Sequence, residues 1–243
     1  QMIVPKMLTW DGYDHKAIEL AEKALADTEF KIEMSIVLSG CYESNDDVDS
    51  AIAILKKHCP SENPEVAIAL AGKYEDKSDD ALLVLCSAYE NSPNDNNLVH
   101  NFAQNLYDRK MYKEALYLYD FLVINSPDNS NYWGNLSNVC LNLELYDRAM
   151  KSCRKAEEVR DNEKGWLLLN IGNILSRKGL YTDAISSFKE GLELNIESES
   201  EYGHDSLARA IKGQQDQREK YNKFKQEGRK LLRGIRSNIE IPE

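Results

Sequence analysis

Along most of the chain, apolar residues recur three and four positions apart, the spacing that places them on one face of a helix. Polar or glycine-bearing turns cut this pattern into pairs of helices of about a dozen residues each. Residues 96–127 carry Phe102, Ala103 and Leu106 on a first helix, the turn Asp108-Arg109-Lys110, then Tyr112, Ala115, Tyr119 and Leu122 on a second. Residues 130–161 repeat it with Trp133, Leu136, Ser137 and Cys140, the turn Asn142-Leu143-Glu144, then Tyr146, Ala149, Cys153 and Ala156. Residues 165–196 do so again with Leu168, Ile171, Gly172 and Leu175, the turn Lys178-Gly179, then Tyr181, Ala184, Phe188 and Gly191. Ala17, Ala51, Ala81, Ala115, Ala149 and Ala184 mark the period, at separations of 34, 30, 34, 34 and 35 residues. Recurrence at that length predicts an array of helical hairpins.

The small residues set the packing. Ala103, Ser137 and Gly172 on first helices, and Ala115, Ala149 and Ala184 on second helices, let backbones approach to roughly 8–10 Å while larger residues fill the holes. One hairpin cannot bury its apolar face alone. Stacking does so, and stability becomes a sum of hairpin and interface terms.

Large residues at positions 4, 7 and 11, small ones at 8 and 27, Tyr near 17, Ala at 20, an aromatic at 24 and Pro at 32 make this pattern resemble the tetratricopeptide repeat family. Residues 165–196 and 130–161 match best, without the proline; residues 96–127 keep it as Pro127. Residues 62–93 match in the second helix (Ala81, Leu85, Ala88, Pro93), but Gly72 stands where the first helix expects a large residue. Residues 32–60 match loosely, and residues 12–29 carry only a second helix. The resemblance implies an all-α, right-handed α-solenoid of stacked antiparallel helix pairs over residues 1–198. A C-terminal capping and basic amphipathic helix is expected over 199–236, with a tail over 237–243. Ala51 to Pro60 is nine residues, whereas Ala81 to Pro93 and Ala115 to Pro127 are twelve. The missing turn reads as a local bend, or as a divide between an N-terminal and a C-terminal stack.

In this family the first helices line the concave face, with positions 2, 5, 6, 9, 12 and 13 inward. On this sequence position 2 holds Asn97, Asn131 and Trp166, position 6 holds Asn101, Asn135 and Asn170, and position 9 holds Gln104, Asn138 and Asn173. Residues three apart share a helix face, so the amides form two adjacent ladders. An amide donates and accepts at once, which suits the backbone of an extended peptide. Rungs roughly 10 Å apart would meet about every third residue of a strand rising about 3.3 Å per residue. Trp166, with Tyr132 if it turns inward, would add apolar anchoring. Two other readings stay open: Asn-Leu-x-Asn is a common way to write such a helix, leaving solvated amides without a ligand, and the chain's own tail could fill the groove. Nearer the N-terminus the same positions hold Val37, Gly40, Ala67 and Leu70, an apolar surface suited to a helix or a neighbouring subunit. Family members that clamp the acidic tail of heat-shock chaperones use Lys and Arg at positions 2, 5 or 6. Asn97, His100, Asn131, Gly134, Trp166 and Leu169 stand there instead, which supplies no cationic clamp.

Charge sharpens the picture. The net charge is −11, yet residues 205–236 hold ten Lys or Arg against four Asp or Glu. An acidic stack thus ends in a basic segment, where Leu207, Ile211, Tyr221, Phe224, Leu231 and Ile235 form a sparse apolar stripe. Acidic repeats argue against nucleic acid on their own surface. The cations of the last segment form no single narrow stripe, which weakens that reading there too. The five cysteines (41, 59, 86, 140, 153) lack paired spacing. Cys140 and Cys153 fall at packing positions, which suits buried thiols and a reducing compartment. His58-Cys59 has no second pair to complete a metal site. Asp46-Asp47-Val48-Asp49 and Asp79-Asp80 sit where helix starts want carboxylates. No apolar run is long enough to span a membrane. Residues 1–6 read neither as a signal peptide nor as a transit sequence, and the chain reads as a fragment or as carrying a foreign first residue.

The expectation is a non-catalytic, cytoplasmic adaptor that needs no cofactor or metal. Its face of Asn97, Asn101, Gln104, Asn131, Asn135, Asn138, Trp166, Asn170 and Asn173 would take an extended or helical segment of a partner protein. The alternatives are a structural spacer or homo-oligomerisation module, or the substrate-binding region of a larger protein such as a glycosyltransferase.

Overall fold

The computed structural model describes residues 14–27, 31–57, 63–74, 79–159, 164–194 and 200–238. These residues form helices and turns with no strand. The helices are α1 (Asp14–Asp27), α2 (Lys31–Ser44), α3 (Val48–Lys56), α4 (Pro64–Ala71), α5 (Asp79–Asn91), α6 (Asn96–Asp108), α7 (Tyr112–Asn125), α8 (Ser130–Asn142), α9 (Tyr146–Val159), α10 (Lys164–Arg177), α11 (Tyr181–Leu194) and α12 (Ser200–Asn238). The chain is all-α and built of tetratricopeptide-type helix pairs. It divides into two compact units, residues 1–126 and 127–243. The divide falls at Ser126 and Pro127, not at the shortened hairpin. That hairpin is visible: α3 has nine residues, where α7 has 14. His58 and Cys59 lie outside the described residues.

Helix starts and stops are written locally. Asp47, Asp95 and Asn129 accept the backbone N–H of Ser50 (3.0 Å), Leu98 (2.8 Å) and Asn131 (3.0 Å), and Asn63 accepts that of Glu65 (2.8 Å). Each such cap stabilises its helix by about 1 kcal/mol. Inside each of four hairpins the turn closes on one residue in the left-handed region: Asp46, Lys110, Glu144 and Gly179. The N–H of the following residue then bonds back across the turn, as Met111 does to Leu106 (2.8 Å) and Leu145 to Cys140 (2.8 Å). This satisfies carbonyls that the first helix leaves open.

In the first unit, Ala17, Ala51, Ala81 and Ala115 are fully buried, and Leu55, Val66 and Leu70 form part of the core. Helix α4 is only eight residues long because Gly72 is its C-cap rather than an interior residue. Val66, Ala67 and Leu70 are therefore all used inside. The expected apolar docking face near the N-terminus is corrected accordingly: Ala67 and Leu70 are buried, and only Val37 and Gly40 are partly exposed.

In the second unit, Leu169, Ala184, Phe188 and Ala210 form a core with Leu175, Tyr181, Ile185, Leu192 and Leu207 around it. A Cβ on Gly172 would lie 2.7 Å from the Phe188 ring, so glycine is what lets α10 and α11 close on each other. Ser137 serves the previous hairpin in the same way. Its hydroxyl donates to Ala149 O (2.9 Å) and lies 3.0 Å from the Cys153 thiol.

Candidate peptide-binding face

In the first unit, α6 carries Asn97, Asn101 and Gln104. There Asn101 and Gln104 are already engaged. Asn101 Nδ2 donates to Asn97 O one turn back (2.8 Å). Gln104 Nε2 donates to the Asp108 carboxylate (3.1 and 3.2 Å), and its Oε1 accepts from the Tyr119 hydroxyl (3.2 Å). Tyr119 is fully buried, so Gln104 satisfies a core hydroxyl. The His100 ring meets Tyr119 edge-on at 6.0 Å, and burial holds its pKa below the usual histidine value. Asn97 is exposed.

In the second unit, α8 and α10 pack side by side. Asn135, Asn138 and Asn170 are half-buried, and their side chains make no hydrogen bond among the described residues. Asn138 accepts through its backbone carbonyl, from Asn142 Nδ2 (2.9 Å), which leaves its own amide open. Asn131 lies exposed in the first turn of α8. Asn173 is spent: its Nδ2 donates to the Tyr202 hydroxyl of α12 (2.9 Å).

The aromatics behave differently from each other. Trp166 lies against Gly134, where an added Cβ would come within 2.5 Å of Cη2 of the indole. Its Nε1–H is buried without a partner. The ring therefore forms a wall between α8 and α10. Tyr132 is buried. The sequence reading missed two residues of this region. Gly134 is the seat of Trp166, and Tyr202 ends the row of open amides. A glycine at position 5 facing a tryptophan at position 2 of the next repeat was an available signal for the first. Nothing in the repeat pattern marks Tyr202.

The local chemistry suits hydrogen bonding. Burial pushes the Cys153 thiol up to about 11, and the nearby Ser137 hydroxyl offsets this only in part. Cys41, Cys86, Cys140 and Cys153 form no disulfide among the described residues. No cluster of three or more His, Cys, Asp or Glu that could hold a metal occurs among the described residues. None of the described helices is long and apolar enough to cross a membrane.

A family model described as ChAPs (Chs5p-Arf1p-binding proteins) matches residues 27–164, and a tetratricopeptide repeat model matches residues 167–195. No curated protein matches the sequence. Similar solved structures include MamA AMB-1, 20% identical with a TM-score of 0.58, covering 68% of this chain and 97% of that one. They also include MamA 41-end from Desulfovibrio magneticus RS-1, 20% identical with a TM-score of 0.58, covering 68% and 95%. At that identity the likeness is one of fold.

Proposed function

The chain belongs to the ChAPs family, the Chs5p-Arf1p-binding proteins, and on that premise we propose that it is a non-catalytic scaffold whose second unit holds an extended segment of a partner protein. The observation that carries this reading is the row of open amides. Asn135, Asn138 and Asn170 are partly buried, carry unused donors and acceptors, and stand beside the Trp166 wall. Half-buried amides without partners gain more from a ligand than solvated ones, because part of their desolvation has already occurred. Each can pair with a peptide N–H and C=O while ignoring the peptide's side chains. Tyr202 bounds the row at one end, through its bond to Asn173. On this view Asn97, Asn101 and Gln104 take no part in binding.

The family description makes proteins of the Chs5p or Arf1p kind the first partners to test. The burial of Cys41, Cys140 and Cys153 as reduced side chains favours a reducing compartment, and we read the location as cytoplasmic. The test is isothermal titration of such a partner against the chain and the double variant Asn135→Ala/Asn170→Ala. Losing two amide contacts of about 1 kcal/mol or more each weakens binding about thirtyfold or further. Helicity should be unchanged and the melting temperature should stay within about 2 °C. An unchanged affinity in that variant would remove the proposed face.

A further inference from the structure

Helix α12 is docked along its first part and free along the rest. Gly203, Ser206 and Ala210 are buried, and a Cβ on Gly203 would come within 2.6 Å of Leu192. One on Gly213 would come within 2.4 Å of the Tyr181 ring, and Gln214 Nε2 donates to Thr182 Oγ1 (3.0 Å). From Gln215 to Arg233 every described side chain is exposed. At about 1.5 Å per residue, the undocked part up to Asn238 extends roughly 36 Å.

That free part repeats the docking face. Tyr221, Phe224, Gly228 and Leu231 each lie 18 residues beyond Gly203, Ser206, Ala210 and Gly213. At 3.6 residues per turn this is five full turns, so the two sets share one face of the helix. Tyr221, Phe224 and Leu231 are 65%, 64% and 69% exposed. Their positions, with Gly228, step by three, four and three, which is the seam of a coiled coil. In the docked part both glycines make room for a neighbouring side chain, whereas Gly228 has no other atom within 4 Å of where a Cβ would stand. Glycine weakens an exposed helix, and a close-packed neighbour is what would justify it here.

Charge says what kind of neighbour fits. Residues 218–233 hold seven Lys or Arg against two Glu. Lys220, Lys225 and Glu227 flank the seam, two cations to one acid, and neither lysine makes an ion pair among the described residues. We propose that this segment pairs with an amphipathic helix of a partner protein that carries acidic residues on both sides of its apolar seam, forming a short two-stranded coiled coil. Parallel pairing with α12 of a second copy would set Lys220 of one copy against Lys225 of the other. A bilayer surface is held by apolar area, and three large residues with a glycine among them offer little of it. This pairing is independent of the row of open amides.

The test uses the full chain and a synthetic four-heptad peptide with Leu at the seam and Glu at the flanking positions. A matched peptide with Lys at the flanks is the control, and binding is read by fluorescence anisotropy. The Glu peptide binds saturably and the Lys peptide does not. Phe224→Asp weakens binding by at least about tenfold, and Lys220→Glu with Lys225→Glu transfers binding to the Lys peptide. Both variants keep the parent's circular dichroism, since the altered side chains are exposed. Four results would each overturn the proposal. They are absence of Glu-peptide binding, full binding by Phe224→Asp, a dimer of the chain abolished by Phe224→Asp, and capture by phosphatidylserine vesicles that the Glu peptide does not compete away.

Discussion

Helix α6 of the first unit and helix α8 of the second carry amides at the same repeat positions and use them in opposite ways. In the first unit Gln104 has an acid, Asp108, one turn ahead and the Tyr119 hydroxyl across the hairpin, and it serves both. In the second unit Asn138 has another amide, Asn142, one turn ahead, which bonds to the Asn138 backbone instead. One methylene and one neighbour thus separate an internal strut from an open group. A ladder written uniformly in the repeat is a structural device in one unit and the candidate for binding in the other.

The contrast can be broken hardest through the second unit's core. Phe188→Ala removes a fully buried ring and should cost about 3–5 kcal/mol. Gly172→Ala forces a methyl against that ring and should cost about 1–3 kcal/mol. Hydrogen exchange in both should lose protection first in residues 164–194. Equal loss throughout the chain would contradict the local assignment.

A smaller effect separates the amides themselves. Gln104→Ala removes the hydrogen bonds to Tyr119 and Asp108 and should cost about 1 kcal/mol or more in urea unfolding. Asn138→Ala touches nothing paired and should stay within about 0.5 kcal/mol. Equal costs would mean that the two amides do the same job.

The smallest effects are in pH. Burial lowers the folded-state pKa of His100, so the unfolded chain takes the proton first as pH drops below 6.5. Stability contributed by that site of the first unit is present above 6.5 and lost on acidification. Burial raises Cys153 from 9.0 to about 11, so the unfolded chain releases its proton first. Stability at that site of the second unit is present below 9 and lost as pH rises toward 11. Melting curves of His100→Gln and Cys153→Ala should show a flatter acid limb and a flatter alkaline limb respectively.

Most of the helical architecture was legible in the chain. The period of Ala51 to Ala184, the small residues Ser137 and Gly172 and the shortened third helix all appear where spacing placed them. Gly72 escaped the pattern because a glycine inside a helix and one at its C-cap differ only in whether the next residues continue the helix, and periodicity does not resolve that. The candidate site was half legible. Spacing assigned the amides to one face, but side-chain pairing depends on neighbours reached through rotamers. Asn101 turning to its own backbone and Asn173 reaching Tyr202 have no signature in a repeat pattern.

The most direct measurement is the side-chain amide spectrum of the isotope-labelled chain, titrated with a partner of the Chs5p or Arf1p kind. Signals of Asn135, Asn138 and Asn170 should shift while those of Asn101 and Gln104 stay in place. Movement of Asn101 and Gln104 with the other three unchanged would contradict the division of labour between the two units.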